Sequence, residues 1–286
     1  MRLVLLATIL GLLATTNAWA KPAIWIVRDA DSEMVLFGSI HVLPPDLAWR
    51  PPALDAAVSQ ADDLWFELPV GTEADQETSR LVAQRGVLPP EQSLFRLLAH
   101  RDAARLARMA DLLGVDKATL DRFEPWLAEV ALAAAVYNKA GASGAYGVEH
   151  ILDAAAPRRV RREALETADE QIALFDEAPF KDQLASLRQS VAELETDPQG
   201  YDDLLRAWQA GDPKTLETEV LAPLRKASPK LFKRLVSERN ARWATRLDER
   251  LRGQGRTVVV VGAGHLIGKE GVPARLRALG YSVSGP

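Results

Sequence analysis

Two apolar runs near opposite ends of the chain each lead into the spacing Gly-x-x-His. Met34-Val35-Leu36-Phe37 precedes Gly38-Ser39-Ile40-His41, and Thr257-Val258-Val259-Val260-Val261 precedes Gly262-Ala263-Gly264-His265. A strand that ends in glycine and then histidine brings an imidazole to the carboxyl edge of a sheet, where open α/β sheets build their sites. The sequence therefore predicts that the two ends of the chain fold together and assemble one site.

The distribution of apolar residues predicts an α/β fold. Residues 24–27 and 34–37 flank a turn-forming cluster and indicate a hairpin, and residues 62–67 indicate a third strand. The chain finishes as strand, glycine-rich turn, helix and strand from residue 257 onwards. Residues of about 71–140 and 179–252 have helical periodicity. We expect a single domain over residues 21–286, with a mixed central sheet built from the N- and C-terminal regions and a large helical insertion.

The first twenty residues have the pattern of a cleaved signal peptide. Arg2 provides a positive start, residues 3–13 are apolar apart from Thr8 and Gly11, and Ala18-Trp19-Ala20 offers a cleavage site. The apolar stretch is shorter than the roughly 20 residues that span a bilayer. We expect a periplasmic or secreted protein with no stable membrane span after cleavage. A retained N-terminal anchor is the alternative.

Composition excludes several classes of function. The chain has no cysteine, so disulfides and thiol catalysis are impossible and any bound metal must use oxygen and nitrogen ligands. It has 35 basic and 39 acidic residues, a net charge of −4, without the basic tract that nucleic-acid binding needs. The expected partner is a peptide or small-molecule substrate and not a nucleic acid. The oligomeric state stays open.

Two carboxylates follow predicted strands. Glu67 ends the apolar stretch that begins near Leu64, at the same kind of position as the two histidines. An exposed strand-end carboxylate is the alternative interpretation. Glu166 ends a stretch that begins with arginines, which make a poor strand. Thr167 and Glu170 form a capping-box pattern, which predicts that a helix starts at Ala168.

A predicted helix that begins at Pro229 carries two polar residues on its apolar face. Arg239 shares a face with Leu235 and Trp243 at intervals of four residues, and Asn240 lies on the neighbouring apolar row. Both side chains should therefore point inward. A buried guanidinium needs a carboxylate or a comparable partner. Either the pair is structural, or it orients a ligating carboxylate or polarises a substrate carbonyl.

The remaining motifs favour no other chemistry. Gly147-Val148-Glu149-His150 also fits Gly-x-x-His, but no apolar run precedes it, so we interpret Gly147 as a loop or helix-entry glycine and His150 as a surface residue. His100 lies in a charged helical stretch. The third glycine in the segment 262–268 is one place late for a dinucleotide motif, and the chain has no Gly-x-Ser-x-Gly.

Five segments resemble the motifs of TraB/GumN proteins and occur in the order of that family. They are residues 36–44, 64–68, 165–175, 238–243 and 261–276. The resemblance covers nearly all of the chain after residue 20. One departure is the stretch before Glu166, which is usually apolar and here is rich in arginine.

The resemblance implies a metal-dependent hydrolase. Related members, including the Tiki proteins, are regarded as metal-dependent peptidases built around two Gly-x-x-His motifs and a glutamate. The wider superfamily, which is similar to erythromycin esterase-like and ChaN-like proteins, includes hydrolases and a haem-associated lipoprotein. Many bacterial members have no assigned substrate.

The residues themselves lead to the same hypothesis. We expect His41 and His265 to bind a divalent ion (Mn, Co or Zn), and Glu67 to bind it or act as general base. Arg239 would stabilise an oxyanion or hold a carboxylate, Asn240 would donate a positioning hydrogen bond, and Glu166 is a weaker candidate for the acid or base. The alternatives are a non-catalytic haem-, metal- or peptide-binding protein and an interaction scaffold.

Overall fold

Both ends of the chain contribute strands to one six-stranded sheet. The computed structural model describes residues 21–197 and 199–286. The strands are β1 (Ile24–Arg28), β2 (Ser32–Ser39), β3 (Asp63–Phe66), β4 (Arg161–Ala164), β5 (Gly255–Gly262) and β6 (Ser282–Ser284). They lie in the order β4-β3-β5-β2-β1-β6. Strands β2 to β5 are parallel, whereas β1 is antiparallel to both of its neighbours. The predicted α/β fold with a mixed sheet is confirmed.

The register of the central strands brings both Gly-x-x-His segments to one edge. In the parallel pair of β2 and β5, Gly38 lies opposite Val261 and Ser39 opposite Gly262. Strand β3 pairs with the other side of β5 and ends at the same edge. A side-chain carbon on Gly38 would lie 2.9 Å from the Cα atom of Ala263, so only glycine allows this close approach. Three chain segments thus leave the sheet side by side.

The predicted hairpin joins β1 to β2. Asp29 closes its turn because one carboxylate oxygen accepts from the backbone N–H of Ser32 at 2.8 Å and from its hydroxyl at 2.7 Å. These bonds stabilise the turn locally, as aspartate commonly does. Antiparallel pairing then sets Ile24 opposite Phe37.

The helices cover the sheet and form a second hydrophobic core beside it. They are α1 (Pro52–Gln60), α2 (Thr72–Arg85), α3 (Leu94–Leu97), α4 (His100–Leu113), α5 (Lys117–Leu120), α6 (Pro125–Lys139), α7 (Val148–Ala155), α8 (Ala168–Asp176), α9 (Phe180–Thr196), α10 (Gly200–Gln209), α11 (Pro213–Leu216), α12 (Ala222–Ala227), α13 (Pro229–Phe232), α14 (Glu238–Leu251) and α15 (Val272–Ala278). Leu187 of α9 packs with Leu106 and Leu132 in the second core. Trp208 and Trp243, later in the chain, pack in the core of the sheet. The helical stretch 179–252 therefore serves both cores.

One predicted helix begins where the sequence placed it, and another is interrupted. Helix α8 begins at Ala168 with the capping box of Thr167 and Glu170, as predicted. The helix predicted from Pro229 is instead interrupted, because a π-helical turn at Lys233–Ser237 separates α13 from α14. Such turns hold one extra residue and occur frequently at functional sites. Arg239 and Asn240, just after it, are buried as the pattern predicted.

Strand β4 lies at the edge of the sheet, which explains its arginines. Arg161 and Arg162 are exposed, and such charged residues are common on edge strands. The predicted signal peptide, residues 1–20, lies outside the described residues. Within the part of the chain that the structure describes, no helix has both the length and the apolarity needed to cross a membrane.

Candidate functional site

Three predicted site residues meet at the carboxyl edge of the sheet. His41 lies two residues after β2, Glu67 directly follows β3, and His265 ends a short 3₁₀ turn after β5. A side-chain carbon on Gly262 would lie 3.2 Å from Glu67 Oε1, 3.4 Å from His41 Nε2 and 3.6 Å from His265 Cδ2. The three side chains therefore border the same small space, to which Gly262 contributes no side chain.

His265 is buried and held in one tautomer. Asn240 Nδ2 donates to the carbonyl oxygen of Glu270 at 2.9 Å, which turns the amide oxygen of Asn240 towards His265. His265 Nδ1 must therefore carry the proton that it donates to Asn240 Oδ1 at 2.6 Å. The lone pair of His265 is then on Nε2, which faces Glu67 Oε1 at 3.8 Å. Burial, with the nearby charge of Arg239, lowers the pKa of His265 to about 4, so the ring is neutral at pH 7.

His41 has the opposite surroundings. Its side chain is 60% exposed, against 11% for His265. Its Nδ1 lies 2.7 Å from Glu149 Oε1, and a carboxylate can only accept, so Nδ1 is the donor. The negative charge of Glu149 raises the pKa of His41 to about 9. His41 Nε2, like His265 Nε2, is left to face the shared space.

Glu67 is fixed through both of its oxygens. The backbone N–H of Gly262 donates to Oε1 at 2.6 Å, and Arg239 Nη2 donates to Oε2 at 2.7 Å. Burial alone would raise the pKa of this carboxyl. The neighbouring His265, Arg239 and His41 lower it instead, to about 2. Glu67 is therefore a charged and firmly oriented carboxylate at neutral pH.

Arg239 uses all of its donors inside the protein. Nε donates to Glu166, and Nη2 reaches both Glu67 and Glu166 at 2.7 and 3.0 Å. Nη1 donates to His265 Nε2 at 3.1 Å and to the carbonyl oxygen of Leu235 at 3.4 Å. The guanidinium also lies 4.5 Å from the centre of the Trp243 ring, a cation–π distance. Of the two predicted roles, this geometry matches the one in which Arg239 holds a carboxylate.

Glu166 lies behind Arg239, on the side away from the shared space. Besides Arg239, it accepts from Trp243 Nε1 at 3.0 Å and from Arg242 Nη2 at 3.3 Å. Its side chain is 3% exposed. These contacts anchor the arginine that orients Glu67. The role of Glu166 as acid or base stays a prediction.

The donor set around Gly262 suits a divalent cation. Two ring nitrogens and one carboxylate oxygen form the kind of set that Zn²⁺, Mn²⁺ and Co²⁺ accept. A cation would have to displace the proton that His41 Nε2 carries at neutral pH, since the pKa of His41 is about 9. A separation of 3.8 Å between His265 Nε2 and Glu67 Oε1 fits two ligands that each lie roughly 2 Å from one ion. Among residues 21–197 and 199–286, no three His, Asp, Glu or Cys side chains are already gathered as a metal site. Binding at His265 requires its hydrogen bond from Arg239 Nη1 to open.

Known proteins match nearly all of the chain after residue 20. A model of the TraB/PrgY/gumN family matches residues 23–285. The chain belongs to this family. It is similar to "Uncharacterized protein YbaP" of Escherichia coli (strain K12), with 28% identity over 262 residues that cover 91% of this chain and 94% of that protein. An "Uncharacterized protein" of Treponema pallidum (strain Nichols) is 26% identical over 277 residues, which cover 92% and 82% of the two chains.

The family match confirms the resemblance seen in the motifs. The YbaP of Shigella flexneri also matches, at 28% identity over 262 residues. No solved structure matches the chain. Since the names of these relatives state no activity, the function of this TraB/PrgY/gumN protein has to be argued from its own residues.

Glu149 is a site residue of this TraB/PrgY/gumN protein that the sequence reasoning missed. It lies in the third Gly-x-x-His, which contributes its glutamate and not its histidine to the site. His150, interpreted as a surface residue, is half-buried, and Gly147 is the helix-entry glycine of α7, as expected. The third occurrence of the Gly-x-x-His spacing was the signal in the sequence that could have pointed to Glu149. His100 is exposed at the start of α4.

Proposed function

We propose that the chain is a periplasmic or secreted metal-dependent hydrolase that acts on peptide bonds. The observation that carries this proposal is the meeting of His41 Nε2, Glu67 Oε1 and the His265 ring around Gly262. Peptide bonds are the proposed substrate because proteins with the same two histidine motifs and glutamate are regarded as peptidases. The signal-peptide pattern of residues 1–20 supports the proposed location.

The proposed cation ligands are His41 Nε2, His265 Nε2 and Glu67 Oε1. Each group is already oriented, because Glu149, Asn240 and Arg239 each bond to the atom of the group that is not the proposed ligand. Such outer contacts fix ring orientation and tautomer at metal sites. Three protein ligands leave coordination positions open, as catalytic sites require.

The bound cation would supply Lewis acidity, which makes water nucleophilic near neutral pH and polarises a carbonyl group. The protein contributes orientation and access. His41 is the exposed ligand, so substrate reaches the site from the side of His41 and the loop before α7. Arg239 holds Glu67 in place and has no donor left for substrate. Glu67, charged and bonded through both oxygens, suits a ligand better than a general base.

A binding protein without turnover is the second candidate, and one contact favours it. Arg239 Nη1 donates to His265 Nε2, so the lone pair proposed for the cation already has a partner within the chain. A protein that keeps this hydrogen bond would bind haem, a metal or a peptide through His41 and the surrounding surface, and would leave its ligand unchanged.

Metal titration and peptide cleavage separate the two candidates. The purified protein is titrated with Zn²⁺, Mn²⁺ and Co²⁺ by calorimetry, and is then incubated with a broad peptide library. The hydrolase predicts one bound cation and cleavage, with both lost in His41→Ala and reduced in Glu67→Gln. His150→Ala is the matched control and should behave as wild type. Binding of one cation without cleavage favours the binding protein, and absence of cation binding contradicts the hydrolase.

A further inference from the structure

The segment around the third Gly-x-x-His is docked on the loop that carries His41. Leu43 and Ser143 exchange two backbone hydrogen bonds, of 3.2 and 2.9 Å, and the N–H of Val148 donates to the carbonyl oxygen of Ile40 at 3.2 Å. A side chain on Gly147 would collide with the carbonyl oxygen of His41. The glycine is therefore needed for the start of α7 to approach this loop.

This contact places Glu149 beside Nδ1 of the His41 ring. Glu149 occupies the first turn of α7, where the helix dipole favours a carboxylate. Its side chain is only 13% exposed, although its partner His41 is 60% exposed. A mostly buried carboxylate beside an open imidazole is costly unless the two are bonded, and their atoms lie 2.7 Å apart. The carboxylate thus limits the rotation of a ring that is otherwise open to solvent.

We propose that Glu149 is the positioning residue of His41. Its carboxylate accepts a hydrogen bond from Nδ1–H, so that Nε2 faces Glu67 and His265. Asn240 makes the equivalent bond to His265 Nδ1. One imidazole is therefore held by a carboxylate and the other by an amide. The part of the inference that concerns cation affinity rests on the proposed function, whereas the part that concerns the ring does not.

The experiment compares the purified protein with its Glu149→Ala and Glu149→Gln variants. Imidazole nitrogen and proton NMR reports the bond from His41 Nδ1–H, and titration with Zn²⁺ alone reports the affinity. Asp153→Asn is the matched control, since Asp153 lies one turn later on α7 and pairs with Arg162 at 2.9 Å. His150→Ala controls for the neighbouring histidine.

The alanine variant should lose the slowly exchanging Nδ1–H signal of His41 and bind Zn²⁺ about 10- to 100-fold more weakly, the usual effect of removing an outer contact at a metal site. Glu149→Gln should keep the signal and most of the affinity, because an amide oxygen accepts the same proton on His265. Both controls should match wild type. This rescue separates positioning from a general loss of structure.

Three results would decide the question differently. An unchanged His41 signal in Glu149→Ala overturns the inference, even if Zn²⁺ still binds. A lost signal in a protein whose wild type binds no Zn²⁺ supports the positioning role and contradicts the proposed hydrolase. If Glu149→Ala does not fold, wild type with bound Zn²⁺ still decides, because coordination through His41 Nδ1 instead of Nε2 overturns the inference.

Discussion

Strand β3 has a buried carboxylate at each end, and helix α14 supplies an arginine to both. Asp63 at its start bonds to Arg250 at 2.9–3.2 Å, and Glu67 just after its end bonds to Arg239 at 2.7 Å. The Asp63 and Glu67 side chains are 1% and 8% exposed. Two very similar ion pairs thus lie at the amino and carboxyl ends of the same strand.

The surroundings of the two pairs differ. Asp63 also accepts from Trp65 Nε1 and Arg161, so its neighbours are donors that close a structural ion pair. Glu67 faces the two imidazoles across Gly262. A buried carboxylate–arginine pair therefore does not indicate a functional site by itself. Glu67 differs from Asp63 in facing two imidazoles, which the segments after β2 and β5 bring to the carboxyl end of the strands.

Removal of Arg239 should have the largest effect on stability. Arg239→Met leaves Glu67 and Glu166 buried without their shared cation, and unfolding should become easier by about 3–5 kcal/mol, as for other broken buried pairs. Urea unfolding followed by circular dichroism measures this free energy. The free energy of unfolding of Arg239→Lys should lie between those of wild type and Arg239→Met, because one ammonium cannot bond to both carboxylates as the guanidinium does. A loss below about 1 kcal/mol in Arg239→Met would show that neither carboxylate depends on it.

Removal of Arg250 should have a smaller effect, and only on stability. Asp63 keeps Trp65 and Arg161 as donors. Arg250→Met should therefore lower the free energy of unfolding by about 1.5–3 kcal/mol, the range for a hydrogen bond to a charged group. Zn²⁺ affinity of the folded variant should equal that of wild type. A weaker affinity would contradict the division of β3 into a structural and a functional end.

The pH dependence of the free energy of unfolding should show that the charged form of Asp63 stabilises the fold. Burial would raise the pKa of Asp63, but Arg250 and the other donors lower it below its ordinary value. A lowered folded-state pKa means that the carboxylate stabilises the protein above its ordinary pKa of about 4, and that this contribution is lost as the pH falls through the folded-state value. The stability difference between wild type and Asp63→Asn should therefore shrink below about pH 4. A constant difference would exclude this charge as the cause.

The sequence predicted the surroundings of Glu67 better than those of Asp63. His41, Glu67 and His265 each follow an apolar run, and strand direction alone places such residues at one edge. Arg239 and Asn240 were predicted to point inward because helical spacing is local. The partners of Asp63 and the contact of Glu149 with His41 depend on how distant helices pack, which periodicity does not encode. No glycine or proline lies within the π turn before α14, so the sequence carries no local signal for it.

Two exposed arginines contact the outer parts of these networks, one at Asp63 and one at Glu166 behind Arg239, and their removal should have the smallest effect on stability. Arg161 contacts Asp63 at 2.9 Å with 66% of its side chain exposed, and Arg242 contacts Glu166 at 3.3 Å with 54% exposed. Solvent screens such contacts, so Arg161→Met and Arg242→Met should each change the free energy of unfolding by less than about 1 kcal/mol. Urea unfolding at low and high salt provides the measurement. A larger loss in Arg242→Met alone would mean that the Glu166 end relies on its outer arginine, and that the network behind Glu67 extends to the surface.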